Sequence, residues 1–225
     1  LKTWRLPQSG RSSKGKAIVN LLPINSSSRI TTILPVEAEE ETWKDLQIFF
    51  ATSTGNVRRN ALSDFTNVKA NGKIAMKLPE NTTLVGVQIC RNDNDVLLTT
   101  AQGKAIRFNT EDIRIFKGRD SVGVKGITMK KNDTVISMAI LKHIEVSTEE
   151  RLAYFKMRRA ITGEDNDIEN GVDSTLVLSQ ERYVELGALE EWILTITSQG
   201  FGKRSSAHEY RRSGRGGQGI TSANL

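Results

Sequence analysis

The sequence predicts an all-β fold: a propeller-like array of repeated four-stranded blades, interrupted by a partly helical insertion. Three segments align on a glycine, and each has an apolar, threonine-containing run, a short polar turn and a second run; they are 48–59, 96–107 and 193–204. Threonine and aliphatic residues favour strands, and glycine supplies the positive φ of a tight turn, so each segment is typical of a β-hairpin. Units that recur at roughly 45–50 residues with about four short strands each are typical of propeller-like arrays.

Each hairpin is followed by the same downstream pattern. An apolar position comes first, then a basic loop, and then a glycine that leads into another strand. These strands are predicted at 15–19, 72–76, 123–127 and 217–220. The pattern divides the chain into a partial blade at 1–36, a blade at 46–90, and a blade at 96–141 that continues in 192–225.

The apolar position of the repeat is occupied by Trp4, Phe65, Ile113 and Tyr210. Aromatic rings at such a position could stack on the bases of single-stranded nucleic acid. Because an isoleucine shares the position, we instead predict that these side chains pack between neighbouring blades.

Residues 142–191 are predicted to be an insertion between two strands of a blade. Ser147 and Glu150 form a capping-box pattern, which predicts a helix near 148–160, and Gly163 is suited to end it. The acidic run 164–167 is expected to be a solvated loop. Two roles stay open for the insertion: its acidity could restrain a basic surface, or it could be a decoration. We expect that deleting 142–191 leaves the blades folded.

The charge of the chain is unevenly distributed. Of its 225 residues, 32 are Lys or Arg and 26 are Asp or Glu, for a net charge of +6. The insertion alone holds 6 basic and 12 acidic residues, so the rest of the chain is more basic than the total suggests. A basic surface favours polyanions, most commonly nucleic acid, because neutralising phosphates releases condensed counterions. A basic protein without such a partner is the alternative.

Cations recur at equivalent positions of the repeat, after the hairpin glycine and in the loop before the next strand. Singly, each could be a solvated surface charge, but in a radial array equivalent positions form one stripe. Such a stripe suits the phosphates of duplex DNA, with little reading of bases. The candidate DNA-binding residues are Lys14, Lys16, Arg58, Arg59, Lys69, Lys73, Lys104, Arg107, Lys117, Arg119, Lys125, Lys203, Arg204, Arg211, Arg212 and Arg215.

No catalytic or metal site is predicted. The two histidines, His143 and His208, have no second ligand nearby at metal spacing. Residues 214–219 match the G-x-G-x-x-G spacing, but β-type residues follow instead of a helix, which argues against dinucleotide binding.

Cys90 is the only cysteine and lies in an apolar run, so we predict a buried thiol in a protein of the reducing cytoplasm. The sequence has no signal peptide and no apolar stretch of membrane-spanning length. It begins at Leu1 instead of methionine, which indicates a piece of a longer protein.

Several stretches resemble the C-terminal domain of the DNA gyrase A subunit. They match in order over nearly all of 1–141 and 192–225, and they are 6–8, 15–24, 29–36, 51–55, 103–108, 123–127 and 202–204. The resemblance implies a β-pinwheel whose blades exchange strands, and a basic rim that bends and wraps duplex DNA without sequence specificity. The family's glutamine-arginine-glycine box is missing, and 215–219 is interpreted as the same corner in another blade.

The resemblance also implies what lies outside this chain. In the family, wrapping presents DNA to a core that introduces negative supercoils, with DNA cleaved by a tyrosine elsewhere in the A subunit. ATP and magnesium are used by the B subunit of an A2B2 assembly in the bacterial cytoplasm and nucleoid, without a membrane. We therefore expect no catalytic site and no cofactor in this chain. The alternatives are the related domain of topoisomerase IV, a protein-binding propeller and, least supported, an enzyme.

Overall fold

A computed structural model of the protein describes residues 1–25, 28–69, 71–163 and 175–224. These residues form three β-sheets and two α-helices. The strands are β1 (Gln47–Thr52), β2 (Asn56–Ala61), β3 (Leu84–Cys90), β4 (Asn94–Thr100), β5 (Lys104–Asn109), β6 (Val124–Lys125), β7 (Val135–Lys142), β8 (Trp192–Ile196), β9 (Gly202–Ser206) and β10 (Ile220–Thr221). The helices are α1 (Thr148–Thr162) and α2 (Gln180–Ala188).

The first and second sheets have the same topology. The first has the order β3-β1-β2-β6 and the second has the order β7-β4-β5-β10, while β8 and β9 form the two-stranded third sheet. Every strand pair in the three sheets is antiparallel. The repeat is therefore a hairpin, a third strand outside it, and a short strand from further along the chain. The predicted all-β, propeller-like array of four-stranded sheets is confirmed.

The fourth strand of the first sheet and that of the second sheet each come from the following unit. In the first sheet, Val124 of β6 lies opposite Val57 of β2. In the second sheet, Ile220 of β10 lies opposite Ala105 of β5. Neighbouring units thus exchange a strand, so each sheet is completed only when the next unit has folded against it.

A glycine precedes each exchanged strand because backbone passes directly over backbone there. Gly123 has a φ of +83° and Gly219 has a φ of +71°. A Cβ at Gly123 would overlap the carbonyl oxygen of Val57, and one at Gly219 would overlap that of Ala105. Only glycine accepts both the left-handed conformation and this close approach.

The main core lies between the first and second sheets. Phe49 and Phe108 are fully buried, with ring centroids 6.4 Å apart. Ile113 is also fully buried in this core, and Tyr210 is buried in the second core, between the second and third sheets. Packing at the shared apolar position of the repeat is therefore confirmed for Ile113 and Tyr210.

Phe65 also packs, with its ring 6.1 Å from that of Phe50. The prediction is wrong for Trp4, whose side chain is 74% exposed. Residues 1–46 contain short 3-10 helices, including one at Ile18–Asn20 in place of the strand predicted at 15–19. The strand predicted at 72–76 is also not formed. Both segments correspond to exchanged strands, and the described part of 1–46 offers no hairpin with which they could pair.

The insertion links two sheets. β7 completes the second sheet and β8 opens the third, so the blade predicted as 96–141 continuing into 192–225 is divided, with only β10 joining the second sheet. Helix α1 confirms the predicted helix, with both hydrogen bonds of the Ser147–Glu150 capping box present. Helix α2 was not predicted, and the acidic run 164–167 lies outside the described residues.

No helix among the described residues has both the length and the apolar character that a membrane span requires.

Candidate nucleic-acid interface

Three segments at equivalent positions of the repeat are joined to one another by backbone hydrogen bonds, and the second and third contain the exchanged strands β6 and β10. In chain order, the segments are the described residues of 66–77, which leave out residue 70, then 114–128 and 211–221. The amide of Lys77 donates to the carbonyl of Ser121 at 3.2 Å, which joins the first to the second. The amide of Gly216 donates to the carbonyl of Gly126 at 2.6 Å, which joins the second to the third. The segments therefore form one continuous path along the three units.

We call the exposed or partly exposed cations on this path the basic track. It contains eight of the residues predicted to bind DNA and two further cations; the members are Lys69, Lys73, Lys77, Arg114, Lys117, Arg119, Lys125, Arg211, Arg212 and Arg215. The structure thus brings half of the predicted residues onto one path.

Arg215 connects two segments of the track. Its Nε donates to the carbonyl of Asp112 at 3.0 Å, and its Nη1 donates to the carbonyl of Lys125 at 3.2 Å. Backbone carbonyls position the guanidinium without neutralising it. Arg215 therefore places its full charge next to the backbone of Lys125, itself an exposed cation.

Two residues of the track, Lys77 and Arg114, were not predicted from the sequence. The guanidinium carbon of Arg114 lies 4.4 Å from the centroid of the Phe116 ring, a cation–π contact that holds the exposed side chain in place. The signal for it was present, because it lies three residues before Lys117 in the same basic loop.

Lys73 is also held by backbone, since its Nζ donates to the carbonyl of Asp64 at 2.6 Å. The side chain remains exposed. As with Arg215, this contact fixes the position of the ammonium and leaves its charge uncompensated.

Arg58 is not a surface residue, and its assignment to DNA contact is corrected. Its side chain is fully buried, its Nε donates to Oδ1 of Asn60 at 2.8 Å, and its Nη1 donates to the carbonyl and hydroxyl of Ser121, both at 2.7 Å. Burial lowers the pKa of the Arg58 guanidinium, and the carboxylate of Asp120 opposes this change. Arg58 of the first sheet thus binds the exchanged segment of the second unit at Ser121, so it stabilises the track without being exposed on it.

Arg59 and Arg107 are corrected in the same way. They occupy equivalent repeat positions and are 5% and 6% exposed. Nη1 of Arg59 donates to Oδ1 of Asn92 at 3.0 Å. Arg107 donates to the carboxylate of Asp95 and to the carbonyl of Ala207, in the third unit, both at 2.8 Å. Their recurrence therefore reflects packing between units and not a shared surface.

Arg204 has the same repeat position in the third unit but is exposed, with its guanidinium carbon 4.3 Å from the Trp192 ring centroid. Lys203 is exposed beside it. Lys104 is half-buried, and its Nζ donates to Oγ1 of Thr221 across the exchanged strand at 2.8 Å. These three predicted residues lie on the hairpins and not on the track.

Lys14 and Lys16 are exposed but are not brought to the track. The hydrogen bonds described for residues 1–24 stay within that segment.

Arg212 lies at one end of a polar cleft of about 580 Å³. Its Nη1 is 3.2 Å from Nε2 of His143 and 3.5 Å from Oε1 of Glu145. His143 also meets Oδ1 of the buried Asp95 at 3.0 Å. A hydrogen bond from His143 and, secondly, the charge of Arg212 lower the pKa of Glu145. The charge of Arg212 is therefore partly compensated, unlike that of Arg215.

Neither histidine lies in a metal-binding group: among the described ranges, no three His, Cys, Asp or Glu side chains come together as metal ligands would. The loop 214–219 leads into β10 and not into a helix, so its glycine spacing serves strand exchange.

Comparison with known proteins agrees with this architecture. The family model described as the DNA gyrase C-terminal domain, β-propeller, matches residues 1–37, 47–91, 94–142 and 191–225. The matched segments follow the repeat and leave out nearly the whole insertion.

Curated relatives are similar over the whole chain. The DNA gyrase A subunit of Granulibacter bethesdensis is 48% identical, and that of Rickettsia bellii is 43% identical, each over 100% of this chain and 25% of the relative. The protein of the same name from Salmonella typhimurium is 32% identical over 99% of this chain and 20% of its own length. The chain thus spans about a quarter of these relatives.

Two solved structures share the fold at low sequence identity. The C-terminal domain of DNA topoisomerase IV has a TM-score of 0.64 at 19% identity, covering 92% of this chain and 49% of that one. The C-terminal domain of E. coli ParC has a TM-score of 0.57 at 13% identity, covering 93% and 66%. With the family model matching most of the residues and relatives similar from end to end, the chain belongs to the DNA gyrase C-terminal domain family.

Proposed function

We propose that this chain binds duplex DNA along the basic track and bends it, without reading its sequence. The observation that supports the proposal is the path of hydrogen bonds that joins the three equivalent segments of the repeat. Each segment belongs to the next unit of the array, so a duplex that contacts all three follows the array from unit to unit.

The chemistry of the track favours phosphate over bases. Apart from Lys125 of β6, its cations lie in loops, and those of Lys73 and Arg215 are held by backbone carbonyls, which leaves their charge free for an anion. Contacts of this kind set position and affinity but carry no sequence information. Release of counterions from the duplex then supplies most of the binding free energy, so binding weakens steeply with salt.

The role within a larger enzyme is also a proposal. We infer that the chain presents the bent DNA to the core of a gyrase that introduces negative supercoils, as part of an A2B2 assembly. Cleavage of DNA, and hydrolysis of ATP with magnesium, are assigned to other parts of that assembly. The similarity to proteins named as DNA gyrase A subunits supports this inference, and it also favours gyrase over a topoisomerase IV role.

The binding proposal is tested by titrating the chain with a labelled duplex of mixed sequence at several salt concentrations. Replacing Lys117 and Arg215 by glutamine is expected to weaken binding and to reduce the salt slope by about 0.9 for each phosphate that is no longer neutralised. Lys44 and Arg91, which are exposed and off the track, are the matched controls for the same charge change. Equal losses of affinity in the track variant and the control would reject the track as the binding surface.

Wrapping needs a separate, topological test. The chain is bound to nicked circular plasmid, the nick is ligated, the protein is removed and the linking number is measured. A shift that disappears in the Lys117 and Arg215 variant supports wrapping along the track. Salt-dependent binding with no shift would leave binding in place and contradict wrapping.

A further inference from the structure

The insertion packs against the third unit at the end of the basic track. The ring of Tyr154 in α1 meets that of His208 edge-on, with centroids 5.4 Å apart. Nε2 of His208 is 3.0 Å from the carbonyl oxygen of Leu186 in α2. The two helices are therefore attached to the segment that leads from β9 into the last part of the track.

This attachment brings Arg151 of α1 to the track. Its Nη1 donates to the carbonyl of Glu209 at 3.4 Å, two residues before Arg211. Arg151 is half-buried and Arg211 is exposed. Burial lowers the pKa of Arg151, and the neighbouring charge of Arg211 lowers it further, against the opposing effect of Glu209. The hydrogen bond to Glu209 thus places Arg151 of the insertion beside the segment that carries Arg211, at the boundary between the insertion and the repeat.

Arg151 and Arg211 lie near carboxylates but are not paired with those that the structure describes. Within the described residues, no carboxylate forms an ion pair with Arg151 or Arg211. The carboxylate of Glu209 accepts instead from the backbone amide of Ser206 at 3.3 Å. Glu150 is engaged by Arg182 at 2.9 Å.

The carboxylates at the far end of the insertion are also engaged. Glu190 pairs with Arg158 at 2.6 Å, and Glu191 accepts from the amide of Lys142 at 2.7 Å. The insertion is acidic in composition, but the carboxylates that pack against the third unit are bonded elsewhere.

We propose that the insertion is part of the DNA-binding surface, with Arg151 and Arg211 together holding one backbone phosphate of the duplex. This inference rests on the proposed function and adds a contact that the repeat itself does not contain. A phosphate is attracted by both positive charges and can accept charge-assisted hydrogen bonds from both guanidinium groups. The role contrasts with restraint of the basic surface by an acidic insertion.

The test compares two substitutions in the same helix of the full chain. Arg151→Gln is expected to weaken binding of a labelled duplex roughly three- to tenfold near physiological salt and to reduce the salt slope by about one. Arg159→Gln removes the same charge from an exposed position eight residues on, about 80° around the helix from Arg151. We expect the Arg159 variant to bind like the unsubstituted chain.

Two further variants keep the result clear if Arg151→Gln disturbs folding. Arg151→Lys keeps the charge and is expected to retain most of the affinity. In a double-mutant cycle, Arg151→Gln combined with Arg211→Gln is expected to lose less affinity than the sum of the single losses, because both contact one phosphate. Thermal midpoints of all variants identify any loss of fold.

The outcomes separate this inference from the proposed function. If the unsubstituted chain shows no salt-dependent DNA binding, the proposed function fails. The insertion site alone is rejected under a different pattern of results. In that pattern the unsubstituted chain binds DNA and the Lys117 and Arg215 variant binds more weakly, but Arg151→Gln leaves the affinity unchanged or lowers it no more than Arg159→Gln does.

Discussion

The Nε of Arg107 donates to Oδ2 of Asp95 at 2.8 Å, and both side chains are almost fully buried. In the first sheet the same repeat positions hold Arg59 and Gln47. The Nε of Arg59 and the Oε1 of Gln47 are both buried without a hydrogen-bond partner among the described residues. In the third sheet the same positions hold Arg204 and Trp192, which form a cation–π contact. The same pair of positions thus joins the two hairpin strands by an ion pair in the second sheet and by a cation–π contact in the third, whereas in the first sheet these two atoms stay unpaired.

Because this arginine is a structural element in the second unit, its removal is expected to affect stability and not DNA binding. Arg107→Gln leaves Asp95 without its strongest partner, and breaking a buried ion pair costs about 3–5 kcal/mol of unfolding free energy. Urea denaturation measures this loss, and DNA titration below the unfolding transition should give an unchanged salt slope. Arg215→Gln should instead reduce the salt slope of DNA binding and leave the unfolding free energy nearly unchanged. A lower salt slope in the Arg107 variant would contradict the structural role of Arg107.

The repeat itself could be read from the sequence because its signals are local. The hairpin glycines at 55, 103 and 200 all have positive φ, as a tight turn requires. The capping box of α1 and the burial of Cys90 were likewise carried by neighbouring residues. In each case the residue types near the feature determine it.

The errors arose where a long-range contact decides the outcome. A recurring arginine predicts a recurring position but does not say whether that position faces solvent. Arg59 and Arg107 contact residues 33 and 100 positions away, in the neighbouring unit. The strands predicted at 15–19 and 72–76 also depend on pairing with a distant hairpin, which local propensity cannot supply.

Strand exchange depends on glycine at position 123. Gly123→Ala adds a methyl group that overlaps the carbonyl oxygen of Val57 and places alanine at positive φ. We expect a loss of about 1–3 kcal/mol, the usual range for a strained backbone conformation. The free energy of unfolding measures it. Gly118→Ala, in the same segment but with open space around its Cβ and no positive φ, is the control and should be nearly neutral.

Cys90 gives the chain a predicted dependence of stability on alkaline pH. Burial raises the pKa of its thiol from 9.0 to about 12. The unfolded chain therefore releases this proton first, so the contribution is fully present below about pH 9 and is lost as pH rises towards 12. The slope is about 1.4 kcal/mol per pH unit within that window.

This contribution is isolated by comparing the chain with Cys90→Ala under reducing conditions. Between pH 8 and pH 10, the unfolding free energy of the unsubstituted chain should fall by roughly 1 kcal/mol more than that of the variant. Other groups that titrate in this range, including Tyr154, are present in both proteins and cancel. Parallel pH profiles would show that the thiol titrates alike in the folded and unfolded states.

The insertion is expected to stabilise the third unit, in contrast to the prediction from the sequence that its deletion leaves the blades folded. Leu186 of α2 is fully buried, and its carbonyl oxygen meets His208 at 3.0 Å. Leu186→Ala should therefore cost about 2–5 kcal/mol, the range for a leucine truncated in a packed core. Val184→Ala, on the same helix but 58% exposed, is the control and should cost far less.

Trp192 contacts both Arg158 of the insertion and Arg204 of β9, so its fluorescence should report a loosening of the contact between the insertion and the third sheet. A Leu186 variant with unchanged stability and unchanged fluorescence would show that the third sheet folds independently of the insertion.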